Sequence, residues 1–225
     1  MDMDSTRSDR SLRAPWPAVM DGAIRWYGGR QNLLPQKALR RSACGPVAAF
    51  DTLRYLLAKE RGGDSTLQRG VWERELRRLC LRYFWVIPYF GTVGPGIAFG
   101  LNLCFRKMDL PYRARWCFSG RKLFDRIESR LMADIPVIMT VGPNFPFFWK
   151  KNTMTLYSMP DANGVSRPAA QVKAHFVTVT GMVNDDLCIS SWGRRYLIRR
   201  EDYRDYVRRH GICLTSNMIY IWRKV

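Results

Sequence analysis

The chain has 225 residues, 47% of them apolar, with 37 Lys plus Arg against 19 Asp plus Glu and a formal net charge of +18. A chain of this length buries roughly 70% of its unfolded surface, so it needs no disulfide framework, and its apolar content excludes a wholly disordered protein. The basic balance rests on 29 Arg and 8 Lys; it favours an anionic partner such as nucleic acid, a membrane surface or an acidic protein, and says nothing about fold.

Residues 1–14 are polar and charged and are expected as a flexible tail, with one domain over 15–225. Residues 15–43 mix aromatics, Gly and Pro without periodicity. Over 45–61, Val47, Phe50, Leu53 and Leu57 fall on one stripe, with Asp51, Arg54 and Lys59 elsewhere, which predicts an amphipathic helix stopped by Gly62-Gly63. A second helix is expected over about 66–85, with Trp72, Leu76, Leu79 and Tyr83 inward and Glu73, Arg74, Arg77 and Arg78 in solvent. The 23 residues 83–105 carry no charge. Their Gly and Pro, among them Pro88 and Pro95, would break a lone lipid-exposed helix. The reading is therefore a buried helix end, a Gly/Pro loop at 91–96 and a second apolar segment, with no integral membrane span. That loop has neither a Walker nor a dinucleotide glycine pattern and is expected to form one wall of a substrate cleft.

A third helix should follow Ser119 as N-cap, with Phe124, Ile127 and Leu131 inward. The period then changes to strands at 135–141, 153–159 and 175–182. In the last, Val177 and Val179 share a face with His175, while Phe176, Thr178 and Thr180 point the other way. Asn184-Asp185-Asp186 is turn chemistry, so 187–190 should return as a hairpin. A strand at 196–198, a short helix at 201–209 and a last strand at 213–222 complete the chain. Helices first and a mostly antiparallel sheet second make the class α+β.

Six cysteines occur, none in C-x-x-C pairs or zinc-finger spacing with His, so neither a metal nor another cofactor is expected. Widely spaced Cys in apolar runs read as buried thiols of an intracellular protein. The first 30 residues have no apolar signal core, which gives the expectation of a cytoplasmic protein. Cys44 differs from the others by its place in Ser42-Ala43-Cys44-Gly45-Pro46, directly before the first strong helix. Pro46 suits a first helical turn, and the dipole and free N–H groups there lower a thiol pKa and can bind an oxyanion. The same placement suits a structural Cys at a helix start. A Cys nucleophile needs a base, and the chain has two histidines. His210, in Arg208-Arg209-His210-Gly211, reads as a helix end. His175 opens a strand after the polar loop 160–174, where catalytic side chains often sit. If the hairpin forms, Ser190-Ser191-Trp192-Gly193 returns beside His175 and offers a small polar side chain to orient the imidazole.

These motifs resemble papain-like cysteine peptidases, in which a Cys starts the central helix, a His opens a later strand and an orienting residue sits in an Asn-Ser-Trp-Gly run. Cys44-Gly45-Pro46 is similar to the Cys-Gly-Pro/Ala start of the bacteriocin-leader-processing branch and its bacterial relatives. Ala133-Asp134-Ile135-Pro136-Val137-Ile138 resembles the segment that precedes the His there, and 175–181 resembles its His-strand-Gly block. Ser190-Ser191-Trp192-Gly193, with Tyr196, Ile198 and Tyr203 after it, matches the layout of the last part. The resemblance covers roughly 30–225 and implies a papain-like fold and a thiol hydrolase acting on a peptide or protein. Cys44 would be nucleophile and His175 base. Ser190 would be orienter, where the family has Asn or Asp. Gln36 would be the oxyanion residue, eight positions upstream of the Cys and farther than the family's Gln. Acyl or peptidyl transfer would use the same residues. The other reading is an inactive scaffold whose basic surface binds an acidic protein, nucleic acid or membrane. The densest basic stretch, 194–209, is interrupted by Glu201, Asp202 and Asp205 and reads as a solvated face with local ion pairs.

Overall fold

The computed structural model describes residues 10–87, 91–141, 152–211 and 216–224. At its centre lies helix α2 (Cys44–Arg61), which follows the short α1 (Lys37–Ser42) after the single residue Ala43. The first three turns of α2 are buried almost all round, from Gly45 through Leu56, as in a helix enclosed by the core rather than lying on it. The predicted stripe is present, but Asp51, expected on the outer side, is buried as well. Gly62 ends the helix with φ +72°, a conformation that Gly adopts without steric cost.

Two further helices pack on α2. Helix α3 (Arg69–Arg82) buries Trp72, Leu76, Leu79 and Cys80 and leaves its Arg face outside. It starts later than the sequence suggests because Leu67–Gln68 forms a strand. Helix α4 (Gly94–Lys107) occupies the second apolar segment of the uncharged stretch. Its Gly94-Pro95-Gly96 start lies inside the first turn, where a missing N–H is harmless, so the expected 91–96 loop is shortened to 91–93; Pro88 lies outside the described residues. Gly100 lets α4 approach the Tyr83 carbonyl and the Phe84 ring, both within 2.7 Å of where a Cβ would stand. No helix among the described residues is long and apolar enough to cross a membrane.

The strands form two sheets. The smaller comprises β2 (Ala18–Asp21), β3 (Ile24–Tyr27) and β4 (Leu67–Gln68), in the order β3-β2-β4, with β4 parallel to β2. No local sequence pattern marks it. The larger sheet is antiparallel throughout. It contains β1 (Arg10–Ser11), β5 (Tyr112–Trp116), β6 (Val137–Val141), β7 (Met154–Tyr157) and β8 (Pro168–Val172). β9 (His175–Val183), β10 (Asp186–Ser191), β11 (Arg194–Ile198) and β12 (Met218–Arg223) complete it. The spatial order is β5-β12-β6-β9-β10-β11-β7-β8, with β1 added to β9. The expected last strand begins at Met218; its residues 213–215, including Cys213, lie outside the described residues.

Each face of this sheet has its own core. Phe176, Ile138 and Ile219 pack with α2, α3 and α4. Val137, Val177 and Val179 pack on the opposite face with α5 (Leu123–Met132) and Tyr203 and Tyr206 of α6 (Arg200–His210). Phe124, Ile127 and Leu131 of α5 point inward as expected, but its N-cap is Lys122 at φ +55°, not Ser119.

The expectation of a tail over 1–14 is corrected for 10–14. Arg10 pairs with Met182 and Ser11 with Gly181. The Arg13 N–H donates to Asp134 at 2.8 Å and the Ala14 N–H to Tyr55 Oη at 3.2 Å. Backbone groups that find such partners leave water without loss, which ties this segment to the sheet despite its polar composition.

Candidate active site

Cys44 is the first residue of α2, and no side chain among the described residues caps the helix start. Unused N–H groups and the helix dipole therefore converge near its thiol. Gly45 permits close packing here. A Cβ on it would meet Thr92 Oγ1 at 2.5 Å, Ile97 at 3.1 Å and the Phe176 ring at 3.3 Å. The 91–93 segment thus lies against Gly45, the residue after Cys44. Thr92 Oγ1 is buried there with no hydrogen-bond partner among the described residues.

His175 opens β9 opposite Val141 of β6 and is 8% exposed. Its Nε2 lies 2.8 Å from Ser191 Oγ. Its ring stacks on Trp192, with centroids 4.6 Å apart and planes 28° apart. The β10–β11 turn makes this possible. Trp192 and Gly193 both have positive φ, +49° and +73°, the two-residue primed turn that matches strand twist. A bulky residue in that region is strained, and the strained Trp is the one that covers the imidazole. The Asn184-Asp185 turn has the same form, with φ +49° and +71°, so the hairpin expected from the sequence is present.

Ser190, expected to orient His175, lines the cavity with it but makes its hydrogen bond elsewhere. It pairs with Thr178 across the ladder, and its Oγ donates to the Tyr27 carbonyl at 3.0 Å. Side chains alternate along a strand. Thr178 faces α2, where its hydroxyl lies 3.5 Å from the Ala48 carbonyl, and Ser190 shares that face. His175 and Ser191 belong to the other. Ser190 instead ties the large sheet to the small one.

Gln36 immediately precedes α1, with its Oε1 buried and unpartnered, and does not line the cavity that holds Cys44 and His175. Gln31 does. It sits in a 3-10 turn (Gln31–Leu33), and its Nε2 donates to the Arg40 carbonyl at 2.8 Å. Only these two Gln precede Cys44. Sequence distance favoured the nearer, but the turn and α1 fold the farther one inward. Asp51 also lines the cavity, seven residues past Cys44 and 4% exposed. Its hydrogen bond is from the Gly29 N–H, at 2.7 Å. The cavity measures about 20 Å³, room for about one water.

Burial sets the electrostatics. It raises the Cys44 thiol pKa above its usual value, against backbone hydrogen bonds at Phe176, Gly45 and Cys44 that lower it. It lowers His175 to about 4 and raises Asp51 to about 7. The resting pair is therefore neutral thiol and neutral imidazole at pH 7, not the thiolate that the helix-start placement suggests; desolvation outweighs the N–H groups. Cys80 and Cys104, buried elsewhere, are pushed up to about 12. His210 ends α6 with an edge contact to Tyr206 at 5.4 Å, in keeping with its helix-end reading.

No protein-family model matches the chain, and no curated protein matches it. Among solved structures it is similar to a crystal structure of a protein from Bacillus anthracis provisionally named as a C39-like peptidase. Identity is 12% and the TM-score 0.49, over 97% of this chain and 100% of that one.

Proposed function

We propose that residues 15–225, with the added strand at Arg10–Ser11, form a papain-like domain that hydrolyses a peptide or amide bond of a peptide or protein substrate. The observation that carries this reading is the cavity shared by Cys44, at the start of a buried helix, and His175, tethered through Nε2 to Ser191. In the tautomer whose Nε2–H donates to Ser191 Oγ, Nδ1 is the base, and Nδ1 has no hydrogen-bond partner among the described residues.

From a neutral pair, Nδ1 takes the thiol proton as Sγ attacks the carbonyl carbon. The oxyanion accepts from the Cys44 N–H and from the second amide hydrogen of Gln31 Nε2; the first is committed to Arg40. The C–N bond then breaks, the imidazolium returns its proton to the leaving amine, and a thioester remains. Water, deprotonated by His175, attacks the thioester and releases the acid and the free thiol. Ser191 takes the orienting role assigned to Ser190, and Gln31 that assigned to Gln36. An acceptor amine in place of water would give transfer with the same residues.

An inactive scaffold is the second reading. It is favoured by the hydroxyl partner, which stabilises an imidazolium less than a carboxylate does, and by shifts of both groups toward neutrality. The discriminating experiment incubates the full chain with a diverse peptide mixture and identifies new termini by mass spectrometry. Hydrolysis predicts new termini lost in Cys44→Ala and in His175→Ala. Cleavage by neither wild type nor variants, with folding intact, supports the scaffold.

A further inference from the structure

We infer that the outer face of α3 and α4 is a docking surface for an anionic lipid bilayer. The inference is independent of the hydrolase reading.

Two Arg clusters behave differently in this molecule. Those of α6 are neutralised locally: Arg204 pairs with Glu201, and Arg208 and Arg209 with Asp205. Arg74, Arg77, Arg78 and Arg82 of α3 are exposed and have no carboxylate partner among the described residues. They line one shallow groove whose only acidic residue is Glu73. Helix geometry puts 74, 78 and 82 on one row and 77 and 81 beside it, so the guanidinium groups form a coherent patch.

Leu81 protrudes from the middle of that groove and is 83% exposed. Trp85, just past the helix, is 72% exposed, and its ring lies 5.9 Å from Phe99 of α4, which is 51% exposed. Phe99 lines a second groove together with exposed Phe118 and with Arg115 and Arg126. The surface is thus a row of protruding apolar side chains flanked by cations at both ends. Large exposed apolar groups have a reason where something covers them. Cations beside Leu, Trp and Phe match a bilayer interface, where guanidinium groups meet headgroup phosphates and apolar side chains enter the acyl boundary. A nucleic acid would use the Arg and stack on the aromatics, but it offers nothing to Leu81. The 91–93 segment, which leads into α4, packs against Gly45.

The test is co-sedimentation of the full chain with vesicles of phosphatidylcholine alone or with added phosphatidylglycerol, at low and high salt. Docking predicts binding at least about tenfold tighter to the anionic vesicles, weakened by salt. Changing Arg74, Arg77, Arg78 and Arg82 to Gln should abolish it. Leu81→Ser with Trp85→Ser should weaken it severalfold with the Arg intact, whereas Arg204→Gln with Arg208→Gln should leave it unchanged. Equal binding to both vesicle types overturns the inference. So does anionic binding that is indifferent to Leu81→Ser with Trp85→Ser and fully displaced by an oligonucleotide, which would make the face a nucleic-acid site. Wild-type discrimination between the two vesicle types keeps the test decisive should a variant fail to fold.

Discussion

Asp51 is a carboxyl in the protein interior with one hydrogen bond among the described residues, from the Gly29 N–H. Burial raises its pKa from 3.8 to about 7. Between these values the fold holds a proton that the unfolded chain has released, so stability from this group falls as pH rises from about 4 to 7 and stays low above. The loss is at most about 4 kcal/mol for a shift of about three units. Asp51→Asn keeps an acceptor for Gly29 and removes the titration. It should raise Tm at pH 8 and change it little at pH 5; an equal change at both would contradict the assignment. The same lone bond suggests that Asp51 anchors the 28–31 segment and, through it, Gln31. The two neighbouring serines separate by role. Ser191→Ala should cost about tenfold or more in kcat/KM, and about 1 kcal/mol in denaturant unfolding as well, because buried His175 Nε2 loses its partner. Ser190→Ala should leave kcat/KM nearly unchanged and cost about 1 kcal/mol in denaturant unfolding, because the Tyr27 carbonyl loses its donor. The reverse pattern in kcat/KM would restore Ser190 as the orienter. No residue type distinguishes these serines; the register of the hairpin does, and register becomes visible only when β9 and β10 are paired.

Among the elements, the β9–β10–β11 meander holds the site, and its second turn stores strain to do so. Trp192→Gly removes a bulky residue from φ +49°, a relief of about 1 kcal/mol, but uncovers His175. In a chain with two histidines, imidazole titration by NMR resolves the result. The His175 pKa should rise from about 4 toward 6.5, and an unmoved value would show that Trp192 does not desolvate the ring. Long elements with a clear period were legible in the sequence: the α2 and α3 stripes, the inward face of α5 and the 184–185 turn. The small sheet was not. Its strands are two to four residues long, and β4 joins β2 from some fifty residues away, so no local pattern marks them. The start of α4 was hidden by Gly94-Pro95-Gly96, which reads as a loop until the first-turn allowance for Pro is applied. Arg10–Ser11 looked like tail because its partner is the far end of β9.

For the molecule as a whole, one antiparallel sheet separates two cores, and the site lies where its central strand ends beside the start of the buried helix. The places of Cys44 at a helix start and His175 at a strand end were legible because such ends are marked in sequence. Their protonation was not, since burial depends on the packing of Phe176, Thr92 and Trp192 from separate elements. His175 also sets a whole-molecule acid response. Its folded pKa of about 4 lies below its ordinary 6.5, so the unfolded chain binds a proton first. Stability from this group is present above pH 6.5 and is lost as pH falls toward 4. Asp134 adds in the same direction. The Tyr55 hydroxyl, the Arg13 N–H and Lys59 together outweigh its desolvation and hold its carboxyl below the usual range, so its contribution is lost in acid as well. Over the same range Asp51 acts in the opposite direction, so the acid loss is read with that group silenced: in Asp51→Asn the denaturant midpoint should decline from pH 7 to 4, and adding His175→Gln should flatten the part of the decline that begins near 6.5. A neutral Cys44–His175 pair that hydrolyses acyl groups is probed by the pH dependence of Cys44 acylation by an activated peptidyl ester. The rate should rise through about pH 4 and then level, and should fall by about 10²–10⁴ in His175→Ala. A rate that instead climbs with thiol ionisation alone, identical in His175→Ala, would contradict it.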